Sequence, residues 1–410
     1  MTKKLGIGLI FLLIGLLSSC NRYSVGIKEG NGTENNPFII RTYDDLYHLN
    51  NSTMYYYELG NDIYNTDQVV INITLGSFFG HLDGKGYTIH DIVIQNPDGH
   101  ASEYQRMYVG LFDILRSEAS IKNINFDNIE IDIDYNYLSF VGSIVGYMEK
   151  DSSIEEVSVN GSMSIHLNNG TIGGIVGKGK EITNCYSDID ITAYGDDEGL
   201  TIGGIVGNND LKVLKSEAVG DMTFNGSIDE ASSNQFLYMG GIAGFSLGDI
   251  LYSTNETNMI ANRTSDDSVL QVRVGGIAGI VFGLIEYSIS LGAIDMNTTD
   301  YVNAGGLAGY VMYEGSIMRS LAITPIGHMI TEENNLIIGG VVGYAFNGNN
   351  ITELYYCEEV GFIKIVGNYE NIELYKIESH TQNYYLSGIE LEYIGNKFIY
   401  EEGKLPKVNE

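Results

Sequence analysis

The sequence predicts an all-β protein, a parallel β-solenoid of about eight or nine coils with a short N-terminal helical cap and a C-terminal cap. Three observations predict this fold: a glycine-rich box that recurs along the chain, apolar residues at alternate positions after most boxes, and loops of variable length before the boxes. Self-similarity at a period of roughly 20 to 50 residues is typical of stacked repeats. Paired glycines disfavour helices, so a helical solenoid is excluded.

The box places glycines on both sides of a large aliphatic residue, and its copies lie 30 to 37 residues apart. We expect each box to be a short strand between two corners, with the aliphatic third position facing inward and stacking into a continuous ladder. The glycines would allow a positive φ and a close backbone approach at the corners. Full copies are Gly173–Gly177, Gly203–Gly207, Gly240–Gly244, Gly275–Gly279, Gly305–Gly309 and Gly339–Gly343, and degenerate copies are Val109–Phe112 and Gly142–Gly146.

The segments that follow most boxes alternate apolar and polar residues, and a period of two predicts strands. One box strand with one or two further strands then forms one coil, which hydrogen-bonds to the coils above and below it. The clearest alternating segments are Ile154–Ile165, Ile182–Ile191, Val213–Phe224, Ile285–Met296 and Ile317–Ile326.

The box and the segments that follow it, such as Ile182-Thr183-Asn184-Cys185-Tyr186, resemble the GLUG repeats of bacterial surface proteins. These repeats also form an accessory region of some immunoglobulin A metallopeptidases. The resemblance covers nearly all of the chain after residue 30, and it implies an architecture rather than an activity. The chain has no Cys-x-x-Cys, no His-Glu-x-x-His and no EF-hand loop, so we expect no peptidase activity and no cofactor.

Residues 1–20 predict a lipoprotein signal peptide, because a basic start at Lys3 and Lys4 precedes a short uncharged apolar run. Leu17-Ser18-Ser19-Cys20 resembles a bacterial lipobox, which implies cleavage before Cys20 and lipidation of Cys20. Acyl chains on Cys20 would make a membrane the first partner and place the protein in the cell envelope, lipid-anchored and extracytoplasmic. The alternative is an ordinary signal peptide with an incidental cysteine. Residues 21–32 are polar and predict a tether.

Residues 33–103 predict an N-terminal cap and the first coils. Thr42 and Asp45 are spaced as an N-cap pair, and Leu46 and Leu49 give the short helix one apolar face. A helix here would cover the open edge of the first coil.

A glycine-punctuated stretch, Phe78–Ile89, predicts a tight turn at Asp83–Gly86 between two short strands. Its polar residues raise a second hypothesis, a metal or catalytic cluster of His81, Asp83 and His90. The turn alone explains the glycine spacing, so the structural interpretation ranks first.

Residues 104–357 predict the repeat array, and the stretch before several boxes lengthens and becomes acidic. Insertions at a constant phase of a solenoid line up along one edge, so we expect an acidic ridge there, either a binding edge or simply solvated loops. A structural Ca²⁺ ion is a further hypothesis, with Asp196, Asp197, Glu198, Asp266 and Asp267 as ligand candidates. The ridge would also carry Asp229, Glu230, Asp300, Glu332 and Glu333.

Residues 358–410 lack the box and predict a C-terminal cap or a small separate module. Cys185 and Cys357 lie five boxes apart, too far for a disulfide at a coil spacing of about 4.8 Å, so both are predicted to be free buried thiols.

The charge of the chain limits its partners. With 22 Lys and Arg against 53 Asp and Glu, the net charge of −31 argues against nucleic acid and against direct adsorption to anionic lipid.

The predicted function is therefore a non-enzymatic binding or adhesion surface for glycans or for host or cell-surface proteins, with no catalytic residues. The alternative is a polysaccharide lyase or hydrolase on the same scaffold, which needs paired acids or a Lys or Arg base. It ranks second because basic residues on the strands are few, Arg273 and Arg319 among them. Tyr355-Tyr356 and Tyr384-Tyr385 could stack on sugar rings, although tyrosine also suits strands.

Overall fold

A computed structural model shows three-sided coils stacked along one axis. Its helices are short: α1 is Tyr43–Leu46, α2 is Gln382–Tyr385, and 3-10 turns span Tyr47–Leu49 and Gly395–Lys397. None of the helices in the described ranges is long and apolar enough to cross a membrane. The described residues are 26–50, 54–72, 74–96, 106–135, 137–195, 199–226, 236–263, 271–298, 301–328, 336–346, 348–358, 364–369 and 374–409.

The first face of the solenoid is an eight-stranded parallel sheet to which eight successive coils contribute one strand each. The prediction of a parallel β-solenoid is confirmed, and partial coils extend the stack at both ends. The strands of the first face are Arg106–Val109, Leu138–Gly142, Asn169–Gly173, Gly199–Gly203, Phe236–Gly240, Gln271–Gly275, Tyr301–Gly305 and Leu336–Gly339.

The second and third faces belong to one 33-stranded sheet that continues around the corner between them. Second-face strands are Phe38–Ile40, Tyr56–Leu59, Ser77–Phe78, His81–Asp83, Phe112–Leu115, Val145–Met148, Val176–Thr183, Val206–Leu214, Ala243–Ser246, Asp249–Leu251, Ala278–Val281, Leu284–Glu286, Ala308–Val311, Ser316–Met318, Val342–Ala345 and Val366–Tyr369. Third-face strands are Ile63–Tyr64, Val70–Ile71, Thr88–His90, Val93–Gln95, Tyr186–Gly195, Glu217–Ala218, Met222–Gly226, Thr254–Asn255, Met259–Arg263, Ile289–Ser290, Ile294–Thr298, Leu321–Ala322 and Ile326–His328. Four strands run through both faces: Ser120–Tyr135, Ser153–Leu167, Asn350–Cys357 and Leu374–His380.

The box forms the corner between the first and second faces. In the full copies the first-face strand ends at the first glycine, and the second-face strand begins at the fourth residue. The prediction that the box is itself a strand was therefore wrong, as was the expected positive φ, since no box glycine has one. The inward third position is confirmed, because all eight aliphatic residues are at most 1% exposed.

The glycines are needed here for close backbone approach between coils. A Cβ added to Gly204 would clash with the carbonyl oxygen of Gly241 in the next coil and lie 2.8 Å from the Ala218 side chain. Substitution would force neighbouring backbone apart, which a close-packed interior resists.

The corner between the second and third faces is built differently. One non-glycine residue in each of nine coils adopts a left-handed conformation with φ between 48° and 57°. These residues share no chemistry: Asn123, Glu156, Asn184, Lys215, Tyr252, Tyr287, Arg319, Glu353 and Lys376. A left-handed residue turns the chain sharply at an energetic cost, and regular stacking above and below holds it in place.

A ladder of buried serines supports this left-handed corner in four successive coils. The Oγ of each serine accepts the backbone N–H of the coil before it at 3.1–3.3 Å and donates to the carbonyl two residues earlier at 2.9–3.1 Å. Buried N–H groups need such a partner. The serines are Ser216, Ser253, Ser288 and Ser320.

Cys185 occupies the equivalent position one coil earlier, with its thiol donating to the Thr183 carbonyl at 3.3 Å. Burial raises the pKa of Cys185 to about 12, and a backbone hydrogen bond with Val157 opposes that shift. Cys185 and Cys357 are both buried and neither forms a disulfide, as predicted.

The two ends of the solenoid differ. At the N-terminal end, Thr42 and Asp45 form the predicted capping box of α1, and Tyr43, Leu46 and Leu49 are buried in the main core. After residue 358, Val366–Tyr369 and Leu374–His380 still pair with the preceding coil.

The chain then folds back along the third face rather than continuing the stack. An apolar cluster joins residues of this C-terminal segment to outward positions of three successive coils, and an antiparallel hairpin of Phe398–Ile399 and Lys407–Val408 closes the segment. Tyr355 and Tyr385 are buried in that cluster, which favours a structural role for both rings. Its other buried members are Ile289, Leu321, Ile323, Cys357, Leu391, Ile394 and Phe398.

Candidate functional site

A groove of about 590 Å³ lies on the outer surface of the third face. The strands below it pair in register, so that Glu130, Ser162 and Asp190 follow one another along the solenoid axis, as do Asp132, Ser164 and Thr192. Inward neighbours such as Ile131, Met163 and Ile191 anchor the same strands in the core. Four successive coils line the groove with Val93, Ile94, Gln95, Glu130, Ile131, Asp132, Ser162, Met163, Ser164, Asp190, Thr192 and Tyr194.

The groove presents acceptors and hydroxyl groups to solvent. Glu130, Asp132 and Asp190 contribute carboxylates, while two serines and Thr192 contribute hydroxyls. Gln95 donates to Asp132 at 3.3 Å, and the Asp190 carboxylate accepts the backbone N–H of Asp221 at 2.9 Å. Such a wall can exchange hydrogen bonds with a ligand rich in hydroxyl groups, and Tyr194 adds a ring that is 41% exposed.

The polar face continues beyond the groove as an asparagine row. Asn262 donates to Asn225 at 3.1 Å, and Asn297 donates to Asn262 at 2.8 Å. His166 and Tyr194 occupy the same register position in the earlier coils, with the His166 ring 3.6 Å from Asp134. At this register position the third face therefore presents a polar or tyrosine side chain in six successive coils, from Asp134 to Asn297.

One strand of the groove, Tyr186–Gly195, ends directly before Asp196, the first acid of the predicted ridge. The ridge candidates Asp196, Asp197, Glu198, Asp266 and Asp267 lie outside the described residues, and so do the other ridge acids and Cys20. The Ca²⁺ hypothesis and lipidation at Cys20 therefore stay predictions. Among described residues, no group of three or more His, Cys, Asp or Glu is placed to hold a metal.

The sequence candidates His81 and Asp83 lie on one second-face strand and border the same cavity, whereas His90 lies on a third-face strand. His81 contacts the Ser120 hydroxyl at 2.9 Å and stacks on Tyr56, and burial lowers its pKa. This pair borders a smaller cavity of about 200 Å³.

Asp83 lies between the ammonium groups of Lys85 and Lys122, at 3.9 and 3.6 Å. His90 contacts Asp127 at 2.8 Å, which helps to lower the pKa of that carboxyl after the larger effect of a hydrogen bond from Asn160. Each of the three polar residues thus has its own partner, which favours the structural interpretation.

Sequence reasoning missed the groove residues. Their signal was present as the polar positions of the alternating strands, but their alignment depends on the register between coils. The two arginines singled out from sequence lie elsewhere: Arg319 is on the left-handed corner, and Arg273 is on the first face.

Comparison with known proteins gives distant likenesses. No protein-family model matches the chain. Halomucin from Haloquadratum walsbyi is 28% identical over 167 residues, which covers 37% of this chain and 2% of halomucin.

Among solved structures, a putative immunoglobulin A1 protease from Bacteroides ovatus matches with a TM-score of 0.45 and 18% identity, covering 74% of this chain and 86% of that one. An IgA1 protease matches with a TM-score of 0.36 and 13% identity, covering 90% of this chain and 25% of that one. At these TM-scores neither likeness bears on function.

Proposed function

We propose that this protein is a lipid-anchored, extracytoplasmic β-solenoid that binds glycans or surface proteins without catalysing a reaction, and that the third-face groove is its binding surface. The groove carries the proposal: four successive coils align carboxylates, hydroxyls and the Tyr194 ring along the solenoid axis over about 590 Å³. Repeated side chains along an axis suit an extended polymer. The GLUG-like boxes and the lipobox-like Leu17–Cys20 support a place at the cell surface.

The chemistry of the groove favours a hydroxyl-rich ligand. Glu130, Asp132 and Asp190 accept hydrogen bonds, and a sugar hydroxyl can donate to them. The described residues that line the groove include no Lys or Arg, and this favours binding over lyase chemistry, which needs such a base.

The experiment is a glycan-array measurement with the chain from residue 21 to 410. A triple variant, Glu130→Gln with Asp132→Asn and Asp190→Asn, keeps side-chain size and removes acceptor charge. We expect its binding to weaken about tenfold or more, as expected when charge-assisted hydrogen bonds are lost. The matched control changes three exposed acids of the C-terminal segment, Glu390→Gln, Glu392→Gln and Glu402→Gln.

Equal binding by the groove variant and the control would contradict the assignment of the groove. Absence of binding to every glycan and to intact cells would contradict the binding function itself. Release of reducing ends or unsaturated products from a bound polysaccharide would instead support the lyase or hydrolase alternative.

A further inference from the structure

A second surface lies over the glycine corner, where outward side chains of the first and second faces meet. We call it the corner stripe, and its members are Phe236, Tyr238, Arg273, Phe245, Tyr310 and Tyr344. Backbone packs closely beneath it, because a Cβ on Gly279 would lie 2.9 Å from the carbonyl oxygen of Arg273. The two rows of side chains therefore touch across the corner, with the Tyr238 and Phe245 rings 6.5 Å apart.

Arg273 lies between two aromatic rings of the stripe. Its guanidinium carbon is 5.3 Å from the centre of the Tyr238 ring and 4.3 Å from that of Tyr310. Cation–π contacts on both sides hold the planar group in one orientation. The stripe extends on either side, since Phe236 stacks on Tyr238 at 4.5 Å and Tyr344 stacks on Tyr310 at 4.8 Å.

The guanidinium of Arg273 has donors left over. Its Nη1 donates to the Tyr238 hydroxyl at 3.4 Å and its Nη2 to Gln271 at 3.0 Å, whereas its buried Nε makes no hydrogen bond. Five N–H groups are present on an arginine, so one N–H on each terminal nitrogen stays available in a fork. That fork matches the two oxygens of a carboxylate.

Among the described residues, the hydrogen-bond partners of Arg273 are Tyr238 and Gln271 and no acid pairs with it, which is unusual in a chain with 53 acids and 22 bases. Arg319 shows the ordinary arrangement: its guanidinium also lies over a tyrosine ring, at 5.3 Å, but it pairs with both Glu286 and Glu353. Arg116 likewise pairs with Glu149 at 2.6 Å. The charge of Arg273 is thus placed for an anion that this part of the chain does not supply.

An acceptor lies next to this donor fork. Asn303 follows Arg273 in register one coil on, and its Oδ1 is buried without a hydrogen-bond partner. A ligand that brings a carboxylate, a hydroxyl donor and an apolar ring face together would use the arginine, the asparagine and the aromatic rings at once. A carboxylate on a protein side chain would use only Arg273.

We propose that the corner stripe binds a carboxylate-bearing sugar of an acidic glycan, with Arg273 holding the carboxylate and the flanking tyrosines packing on the sugar ring. The proposal rests on the proposed glycan-binding function and adds to it a second surface, separate from the groove, with its own class of glycan. A glycan chain lying along the axis meets the stripe once per coil, about every 4.8 Å.

The test is titration calorimetry of residues 21–410 with polygalacturonate oligomers and with the same oligomers after carboxyl reduction. We use about 0.15 M salt, where a screening length of about 8 Å limits repulsion from the net negative charge of the chain. We expect binding of the uronate form only, weakened about tenfold or more by Arg273→Lys, which keeps the charge but loses the fork. Arg319→Lys is the matched control and is expected to bind like the parent chain.

Several outcomes overturn the proposal. These are equal binding by the parent chain and an Arg273→Gln variant that keeps its thermal midpoint, equal binding of the reduced oligomers, and binding of poly-glutamate in place of the uronate. The last would assign the stripe to an acidic protein segment. If array binding is lost only in the groove variant, the proposed function stands and the stripe proposal fails.

Discussion

Two of the three corners of each coil, the glycine corner and the left-handed corner, hold the same stack by different chemistry. The glycine corner depends on side chains that are missing, because the backbone of one coil occupies the space where a Cβ of the next would lie. The left-handed corner depends on side chains that are present, namely the buried serines that receive backbone N–H groups. The full glycine boxes therefore resist substitution, whereas the left-handed position accommodates residues as different as Glu, Lys and Tyr.

The comparison is tested most strongly at Gly204. Gly204→Ala is expected to lower the free energy of unfolding by about 3 kcal/mol, because its methyl group would overlap the Gly241 carbonyl of the next coil. Urea and thermal denaturation of the variant measure the change.

Gly327→Ala is the matched control for this substitution. Gly327 is exposed, and the nearest atoms to an added Cβ belong to the movable Asp295 carboxylate. We expect a change within about 0.5 kcal/mol there. Equal effects at the two glycines would show that close approach does not explain the box.

The left-handed corner is tested at Ser253. Ser253→Ala removes the Oγ that accepts the Ser216 N–H at 3.3 Å and leaves that buried group without its partner. We expect a loss of about 1–3 kcal/mol and faster hydrogen exchange at the Ser216 amide.

Ser316→Ala provides the comparison, because the Ser316 hydroxyl makes only a 3.4 Å contact with the Glu314 carbonyl near the surface. A loss of stability at Ser316 as large as that at Ser253 would mean that the serine ladder is not what stabilises the corner.

These two corners also show what sequence could predict. The boxes share a repeated sequence motif, so the ladder of buried aliphatic residues through Ile175 and Ile205 could be predicted from the sequence alone. The left-handed position is occupied by residues as different as Glu156, Lys215 and Tyr252, since stacking rather than residue type fixes its φ. The left-handed residue itself carries no signature, although Cys185 or a ladder serine follows it directly in five successive coils.

Both candidate surfaces depend on neighbours that are far apart in sequence. The contacts of Arg319 with Glu286 and Glu353 join residues 33 and 34 positions apart, one coil away on either side. The lack of an acidic partner for Arg273 likewise depends on which residues the neighbouring coils place beside it, so its own segment could not predict it. The groove acids were missed for the same reason: Glu130 and Asp190 become neighbours of Ser162 only when the coils are aligned.

The smallest expected effect is that of Cys185→Ser. Cys185 occupies the ladder position at which the next four coils have a serine. Cys185→Ser is expected to change the free energy of unfolding at pH 7 by less than about 1 kcal/mol, because a hydroxyl can make the hydrogen bond to the Thr183 carbonyl in place of the thiol. Cys185→Val cannot make this bond, so we expect it to cost about 1–3 kcal/mol.

The pH dependence sharpens this last comparison. Burial raises the pKa of Cys185 from 9.0 to about 12, so the neutral thiol contributes stability that is fully present below pH 9 and is lost as the pH rises towards 12. Serine does not ionise in this range, so Cys185→Ser should gain stability relative to the parent chain between these pH values. Denaturation curves at pH 7 and pH 10 measure the difference, and parallel losses in the two chains would contradict a buried thiol at this corner.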